Sequence, residues 1–275
     1  MPVYCTEFVF DGISSKEYDI FICSFDGSHS GEMTAGNHIE FTSFKAPNSN
    51  KWSKIGATYN EQLTFSFQVC KYRYDSHDIK PFSERELAFL LRWLVRKDYK
   101  WLQFIQEGYE NIFYNCQLNV ERYVISGQCY GLTLTANCDA PFGWSEIMST
   151  TISSSTEKTV KLYDSSDEIG EIYPSVEIFV KGNKQDILIE NLFTDKKMEI
   201  RNCIPNEHII MKNMILNSEY IGFKKSSENH AGIMDDFNYQ WLTIGNTLDN
   251  RENEIKITGN CEVILEWRVP RKAVV

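Results

Sequence analysis

The sequence predicts a mainly β protein, in which an N-terminal β-sandwich with one packed α-helix precedes a C-terminal antiparallel β-sandwich. Two patterns support this prediction: apolar and polar residues alternate over short runs, and turn-forming pairs such as Gly-Asn separate the runs. Only the stretch 83–97 has clear helical spacing. A length of 275 residues suits two domains, which we place at 1–145 and 146–275.

The first domain begins with extended segments. Residues 3–10 and 18–25 are predicted to form a hairpin around an Asp-Gly turn, and 39–44 a short strand. The clearest strand is 63–69, in which Leu, Phe, Phe and Val alternate with polar residues. Three or four more strands are expected within 101–138, which gives the domain at least six.

The predicted helix 83–97 starts at a capping box, because Ser83 is followed three residues later by Glu86 and Pro81 prevents an earlier start. Its leucines fall on one face, and basic residues near its end suit the helix dipole. An apolar face must be covered, and strands predominate elsewhere. We therefore expect this helix to close the open side of the first sandwich.

The second domain is predicted to open with a Ser- and Thr-rich connector, 148–171, in which only 160–163 is a strand. Acidic residues at the end of the connector are interpreted as a solvated charged segment rather than a calcium site. Eight further strands follow, separated by Gly and Asn turns, which is typical of an antiparallel sandwich.

Composition argues against several functions. The net charge is -10 and both halves are mildly acidic, so neither a nucleic-acid surface nor an anionic membrane surface is expected. The N-terminus lacks the pattern of a signal peptide, and the eight scattered cysteines are interpreted as buried thiols of a cytosolic chain. Motifs for nucleotide binding, hydrolysis and metal ligation are missing, so we expect no enzyme, cofactor or metal.

Aromatic residues provide the candidate interaction site. Residues 45–60 are rich in turn formers and are predicted to form a long irregular loop, which is uncommon without a function. Trp52, Ile55 and Tyr59 lie in this stretch, where they cannot bury themselves alone. Trp144 and Trp241 are further candidates outside the clearest strands, although each is expected to fill a gap in its own domain.

The order of these elements resembles a known family. The opening FVFDGISSKEYDIFI, the capped Leu- and Trp-rich helix and the PFGW sequence at 141–144 occur in the order found in the distal tail proteins of long-tailed phages. The closing strands match too: Trp241-Leu242 and a Gly-Asn turn precede alternating runs that end at Trp267.

The resemblance implies a non-enzymatic structural protein of the virion tail tip, made and assembled in the host cytoplasm. N-terminal domains would close into a six-membered ring, and galectin-like C-terminal domains would project outward. The implied partners are the tail tube protein and the tail-associated hub or receptor-binding proteins. Trp52, Ile55 and Tyr59 are the residues expected to contact the next subunit or the tube.

The sequence is also compatible with two other functions. The C-terminal sandwich could recognise a cell-surface glycan, which requires exposed aromatic residues beside polar groups on a concave face. An enzyme acting on a cell-wall polymer would need two facing carboxylates, and the sequence does not identify such a pair.

Overall fold

The structure is a computed structural model of the chain. It describes residues 6–25, 39–59, 61–71, 79–107, 109, 111–220, 230 and 232–272. Contacts divide the chain into two units, Met1–Glu146 with Arg271–Val275, and Ile147–Pro270. Each unit is mainly β, and the first contains the longer of the helices, as the predicted fold class requires.

The strands of the first unit are β1 (Phe8–Phe10), β2 (Ile13–Ser14), β3 (Ile20–Cys23), β4 (Ile39–Lys45), β5 (Trp52–Tyr59), β6 (Thr64–Lys71), β7 (Lys100–Phe104), β8 (Phe113–Ile125), β9 (Gln128–Cys138) and β10 (Gly143–Trp144). Seven of them follow one path, β2-β1-β7-β8-β9-β6-β3, and β10 pairs with β8. The helical elements are a 3-10 helix, Ser15–Tyr18, and the helix α1, Glu84–Leu94.

Aromatic contacts show that this sheet curls around its core. The Phe67 ring in β6 lies 5.3 Å from the Phe104 ring in β7 and 5.4 Å from the Phe8 ring in β1. In a flat sheet β6 and β7 would be about 14 Å apart, because β8 and β9 lie between them. The two ends of the sheet therefore face each other, as in a sandwich.

The helix α1 covers this core, as predicted. Leu87, Leu90, Trp93 and Leu94 are buried, and the Trp93 indole N–H donates to the Phe10 carbonyl oxygen at 3.0 Å. The predicted capping box of Ser83 and Glu86 is present. The helix ends at Leu94 rather than at residue 97, because Val95 adopts an extended conformation.

The predicted hairpin of residues 3–10 and 18–25 is not formed by β1 and β3, although the Ile22 amide donates to the Thr6 carbonyl oxygen at 3.0 Å; residues 3–5 lie outside the described part of the chain. Strand β1 pairs with β2 and β7, whereas β3 pairs with β6. The 3-10 helix redirects the chain, since Ser14 caps it through the Lys16 amide and Asp19 ends it in a left-handed conformation. The sequence alternation identified the strands but not their partners.

The strands of the second unit are β11 (Met148–Ser154), β12 (Glu157–Tyr163), β13 (Gly170–Ile172), β14 (Ser175–Val180), β15 (Gln185–Asn191), β16 (Lys196–Cys203), β17 (Glu207–Lys212), β18 (Ile215–Tyr220), β19 (Ile244–Asn246), β20 (Glu252–Thr258) and β21 (Cys261–Trp267). The last strand, β22 (Pro270–Arg271), pairs with β10 in the sheet of the first unit. A one-turn helix, α2, spans Ile233–Asp236. Two antiparallel sheets, β11-β21-β14-β17-β18 and β12-β20-β15-β16, contribute alternate residues to one apolar core. This is the expected C-terminal sandwich.

The predicted connector 148–171 is wrong for most of its length. Strand β11 pairs with β21 over all seven of its residues, and β12 pairs likewise with β20. The sequence pattern did not reveal these strands fully, because Ser and Thr occupy many of their positions and few large apolar side chains alternate along them. The acidic segment is not solvated throughout either, since Asp164 is buried and accepts hydrogen bonds from Ser166 and Asn246.

Candidate interaction surface

Residues 39–59 form a two-stranded hairpin rather than the irregular loop predicted for 45–60. Strands β4 and β5 pair with each other, and no other strand of the described residues joins them. Six residues, 46–51, connect the strands, and the Ser49 amide closes the turn on the Ala46 carbonyl oxygen at 3.1 Å. The Pro, Asn and Ser residues that suggested a loop are confined largely to this turn.

Large apolar side chains cover this hairpin without being buried. Phe41, Phe44, Trp52 and Ile55 have exposed fractions of 61%, 51%, 64% and 67%. A hairpin of two strands is marginal in water unless it packs against something else. The exposed side chains therefore form a surface suited to a protein partner, which we call the hairpin surface: Phe41, Phe44, Trp52 and Ile55.

The register places two of these rings on one face of the hairpin. Phe41 and Lys45 are four residues apart in β4 and so share a face, and Trp52 is the cross-strand partner of Lys45. The Lys54 ammonium lies 4.7 Å from the centre of the Phe41 ring, on the same side. Phe44 lies on the opposite face, so the richer aromatic face carries Phe41 and Trp52.

A β-bulge interrupts this register. Thr42 pairs with Gly56 and the next residue, Ser43, pairs with Lys54, so Ile55 is the extra residue of the bulge. Bulges bend a strand pair and increase its twist, and they leave the extra residue outside the hydrogen-bond ladder. Ile55 is accordingly the most exposed residue of the hairpin surface.

The three predicted interaction residues have different environments. Trp52 and Ile55 are exposed, as their expected role requires, whereas Tyr59 is half-buried at the base of the hairpin. The Tyr59 ring meets Phe142 edge to face at 6.4 Å, which helps to anchor the hairpin. Phe41 and Phe44 were missed, because aromatic residues in a recognised strand are normally expected to face a core.

Trp144 and Trp241 are structural in their own units. The Trp144 indole N–H donates to Asp139 at 3.1 Å, and its ring meets Phe142 at 5.2 Å. The Trp241 ring packs against the second core and meets Phe237 at 5.2 Å. This agrees with the expectation that both tryptophans fill gaps.

Trp241 also lines a small cavity in the second unit. The cavity has a volume of about 140 Å³, and its lining includes Tyr173, Ser175 and Asn213. The buried methionines Met198 and Met211 also line it. An apolar cavity of about 150 Å³ accommodates benzene, so this cavity is a second candidate site for a ligand group.

A buried charged cluster near α2 resembles a catalytic triad but has a different hydrogen-bond order. His230 contacts Glu207 through Nδ1 at 3.0 Å and Asp236 through Nε2 at 2.8 Å. The Ser218 hydroxyl donates to Glu207 and not to His230, so the histidine is not placed to act as the base for this serine. Hydrogen bonds from His230 and Asn202 lower the pKa of Asp236. The Asn202 side chain in β16 donates to Asp236 at 2.8 Å, so the cluster connects the end of α2 to this strand.

The described residues contain neither a metal-binding cluster nor a membrane-spanning helix. No group of three or more His, Cys, Asp or Glu side chains there could hold a metal ion. No helix in that part of the chain is long and apolar enough to cross a membrane.

Comparison with known proteins gives two family matches. A model described as the phage tail protein N-terminal domain, DUF6558, matches residues 3–140. The model of the phage tail C-terminal domain of the same name matches residues 142–267. No curated protein matches the sequence.

Among solved structures, the chain is similar to the Dit protein (gp 19.1) of phage SPP1, described as a paradigm of the hub adsorption apparatus in phages that infect Gram-positive hosts. The TM-score is 0.59 and the identity 11%, over 95% of this chain and 98% of the SPP1 chain. At this identity the similarity concerns the fold. The expected resemblance to distal tail proteins is confirmed at that level.

Proposed function

Because this chain belongs to the phage tail protein family DUF6558, we propose that it is a structural component of the tail tip. In this role, copies of the chain close into a hexameric ring between the tail tube and the tail-associated hub or receptor-binding proteins. The chain would be made and assembled in the host cytoplasm. The role requires binding surfaces and no chemical reaction.

The hairpin surface is the single observation that carries this proposal. Ring closure needs a heterologous contact, in which one patch of each copy meets a different patch of the next. The hairpin offers such a patch, because its large side chains are exposed and no third strand of the described residues joins its sheet. Trp52 and Ile55 are the proposed contact residues, and Tyr59 holds the base of the hairpin.

The two units suggest a division of roles. We assign ring formation to residues 1–145, which include the hairpin surface, and outward projection to residues 146–275. The fold shared with SPP1 Dit supports this assignment, since that protein is described as part of a hub adsorption apparatus. The tail tube protein and the hub protein are the proposed partners on either side of the ring.

The test of ring formation is the mass of the full chain in solution, measured by light scattering over a range of concentrations. We expect a closed oligomer, with or without added tail tube protein. Trp52→Ala should weaken association about tenfold or more, because buried tryptophans dominate many interfaces. A wild-type chain that stayed monomeric at every concentration and bound neither tube nor hub protein would refute the proposal.

Tyr163→Ala is the matched control, since Tyr163 is 66% exposed but lies in the second unit. It should leave the oligomer intact. Circular dichroism must show that Trp52→Ala is folded, because an unfolded variant would mean that Trp52 has a structural role instead.

A second candidate function is glycan recognition by the second unit. The cavity beside Trp241 favours it, because Tyr173 and Trp241 supply ring surfaces next to Ser175 and Asn213. Tyr173 is 56% exposed, so a bound pyranose could reach its ring. A glycan array probed with the full chain tests this function: binding that is lost in Tyr173→Ala supports it, and an array without binding rejects it.

A further inference from the structure

Two pairs of cysteines lie near each other in the sheet of the first unit. All seven cysteines among the described residues are free thiols. Cys116 in β8 is the direct cross-strand partner of Cys138 in β9. Cys23 in β3 is only diagonal to Cys70 in β6, since Cys70 pairs with Phe21.

The backbone hydrogen bonds show which kind of pair Cys116 and Cys138 form. The Asp139 amide donates to the Asn115 carbonyl oxygen at 2.9 Å, just beyond the two cysteines. In an antiparallel ladder this bond flanks a non-hydrogen-bonded pair, whose Cα atoms are about 4.5 Å apart. A disulfide requires a Cα separation of about 4.4–6.8 Å, so the backbone already permits one here.

The diagonal pair provides an internal contrast. Diagonal neighbours in a sheet are about 7–8 Å apart, which exceeds the range for a disulfide. The Cys23 and Cys70 thiols do contact each other, because a hydrogen bond with Cys70 raises the pKa of the Cys23 thiol. Their diagonal backbone spacing nevertheless disfavours a disulfide, whereas the spacing of Cys116 and Cys138 permits one.

The surroundings of Cys116 and Cys138 keep them reduced in the native chain. Both side chains are fully buried, and β8 and β9 are interior strands of the sheet. The hydrogen bond with Cys138, together with burial, raises the pKa of the Cys116 thiol. Because the thiolate is the reactive form, an oxidant must reach the pair while the chain folds or opens.

We propose that Cys116 and Cys138 are a disulfide-forming pair that closes when the chain folds in the presence of a disulfide oxidant such as glutathione disulfide. One cysteine thiolate attacks glutathione disulfide and releases one glutathione thiolate. The second cysteine thiolate attacks the resulting mixed disulfide and releases the other. Two cysteines are oxidised, one glutathione disulfide is reduced, and the two cysteine protons pass to the glutathione thiolates.

The product would join the two central strands of the first unit. It would close the loop of residues 116–138 in the unfolded chain and so reduce the entropy gained on unfolding. In a reducing cytoplasm the thiols would persist, and oxidising surroundings would favour the cross-link. We expect the oxidised chain to melt about 5 °C higher than the reduced chain.

The experiment compares two refolding conditions for the full chain. Urea-unfolded, reduced protein is refolded with glutathione disulfide or with reduced glutathione, free thiols are alkylated, and the protein is mapped by mass spectrometry without reduction. With glutathione disulfide we expect a mass lower by about 2 Da before alkylation and a peptide that links Cys116 to Cys138. The reduced arm should contain neither.

Cys138→Ser should abolish the linked peptide, and Cys23→Ser should keep it as the matched control. Mapping of the wild-type chain does not depend on whether either variant folds. The proposal is overturned if the wild-type chain contains no 116–138 link after oxidative refolding, if the main link joins other cysteines such as Cys23 and Cys70, or if the linked chain melts below the reduced one.

Discussion

Strands β8 and β9 and strands β4 and β5 are antiparallel pairs in the same unit, yet their side chains meet opposite environments. In the first pair, β7 and β6 flank the strands, and Leu132, Leu134 and Ala136 are fully buried. In the second pair, Phe41 and Trp52 are more than half exposed. Alternation in the sequence therefore predicts a strand, but it does not predict whether another element covers the apolar face.

The connections within the two strand pairs also differ, in length and in how firmly they fix the pairing. Ser126 and Gly127 connect β8 to β9 in two residues, and both have positive φ, at 50° and 81°. Such turns match the natural twist of a strand pair and fix its register. The six-residue connection between β4 and β5 imposes less on its strands. Both the turn and the surrounding core therefore stabilise the pairing of β8 with β9. The pairing of β4 with β5 depends more on a binding partner.

The largest expected effect comes from a cavity in the buried pair. Leu134→Ala should lower the free energy of unfolding of the first unit by about 2–5 kcal/mol, because it removes a fully buried side chain between packed strands. Ile55→Ala is the matched control in the exposed pair, and it should change the free energy of unfolding by about 0.5 kcal/mol or less. Urea titrations of both variants measure the difference. Similar losses in the two variants would mean that the hairpin surface is buried within the chain.

The sequence predicted much of the fold. The two-sandwich class, the capped helix and its apolar face follow from periodicity and capping, which act within a few residues of each other. Strands β5 and β11 were missed, because Ser, Thr, Gly and Asn weaken the strand signal while pairing stabilises the strands regardless of composition. Pairing between distant segments, such as β3 with β6, left no local signal.

The candidate site was predicted in part. Trp52 stood out because its neighbours are turn formers, and it is exposed in the structure. Phe41 and Phe44 gave no such signal, since exposure in a strand depends on what packs against it. The Cys116–Cys138 pair could not be predicted either, because the register that brings the two together is a property of the folded sheet.

The helix α1 provides the cover that the hairpin lacks, and its capping box should make stability depend on pH. Hydrogen bonds from Lys71 and from the Ser83 backbone lower the pKa of Glu86 to about 2 from the ordinary 4.5. A carboxylate with a depressed pKa stabilises the fold above pH 4.5, and this contribution is lost as the pH falls towards 2. The Glu86 side chain is 42% exposed, so screening reduces the effect to about 1 kcal/mol.

Urea titrations of wild type and Glu86→Gln between pH 7 and pH 3 measure this contribution. We expect the variant to be less stable at pH 7 and to lose less stability on acidification. Lys71→Met should also make stability less dependent on pH, because the hydrogen bond from Lys71 is the main cause of the lowered Glu86 pKa. Parallel pH profiles for wild type and Glu86→Gln would contradict the proposed role of this carboxylate.

The smallest effect on stability, and the sharpest distinction within the hairpin, is expected from Phe41→Ser and Phe44→Ser. Both side chains are more than half exposed, so each change should alter the free energy of unfolding by about 0.5 kcal/mol or less. Their effects on association should differ, because Phe41 shares a face with Trp52 and Phe44 lies on the other face. We expect Phe41→Ser to weaken the oligomer about tenfold, as Trp52→Ala does, and Phe44→Ser to weaken it less. Sedimentation of the two variants at matched concentrations decides between the faces: a greater loss in Phe44→Ser would assign the contact to the Phe44 face, and equal losses would mean that the partner encloses the hairpin on both sides.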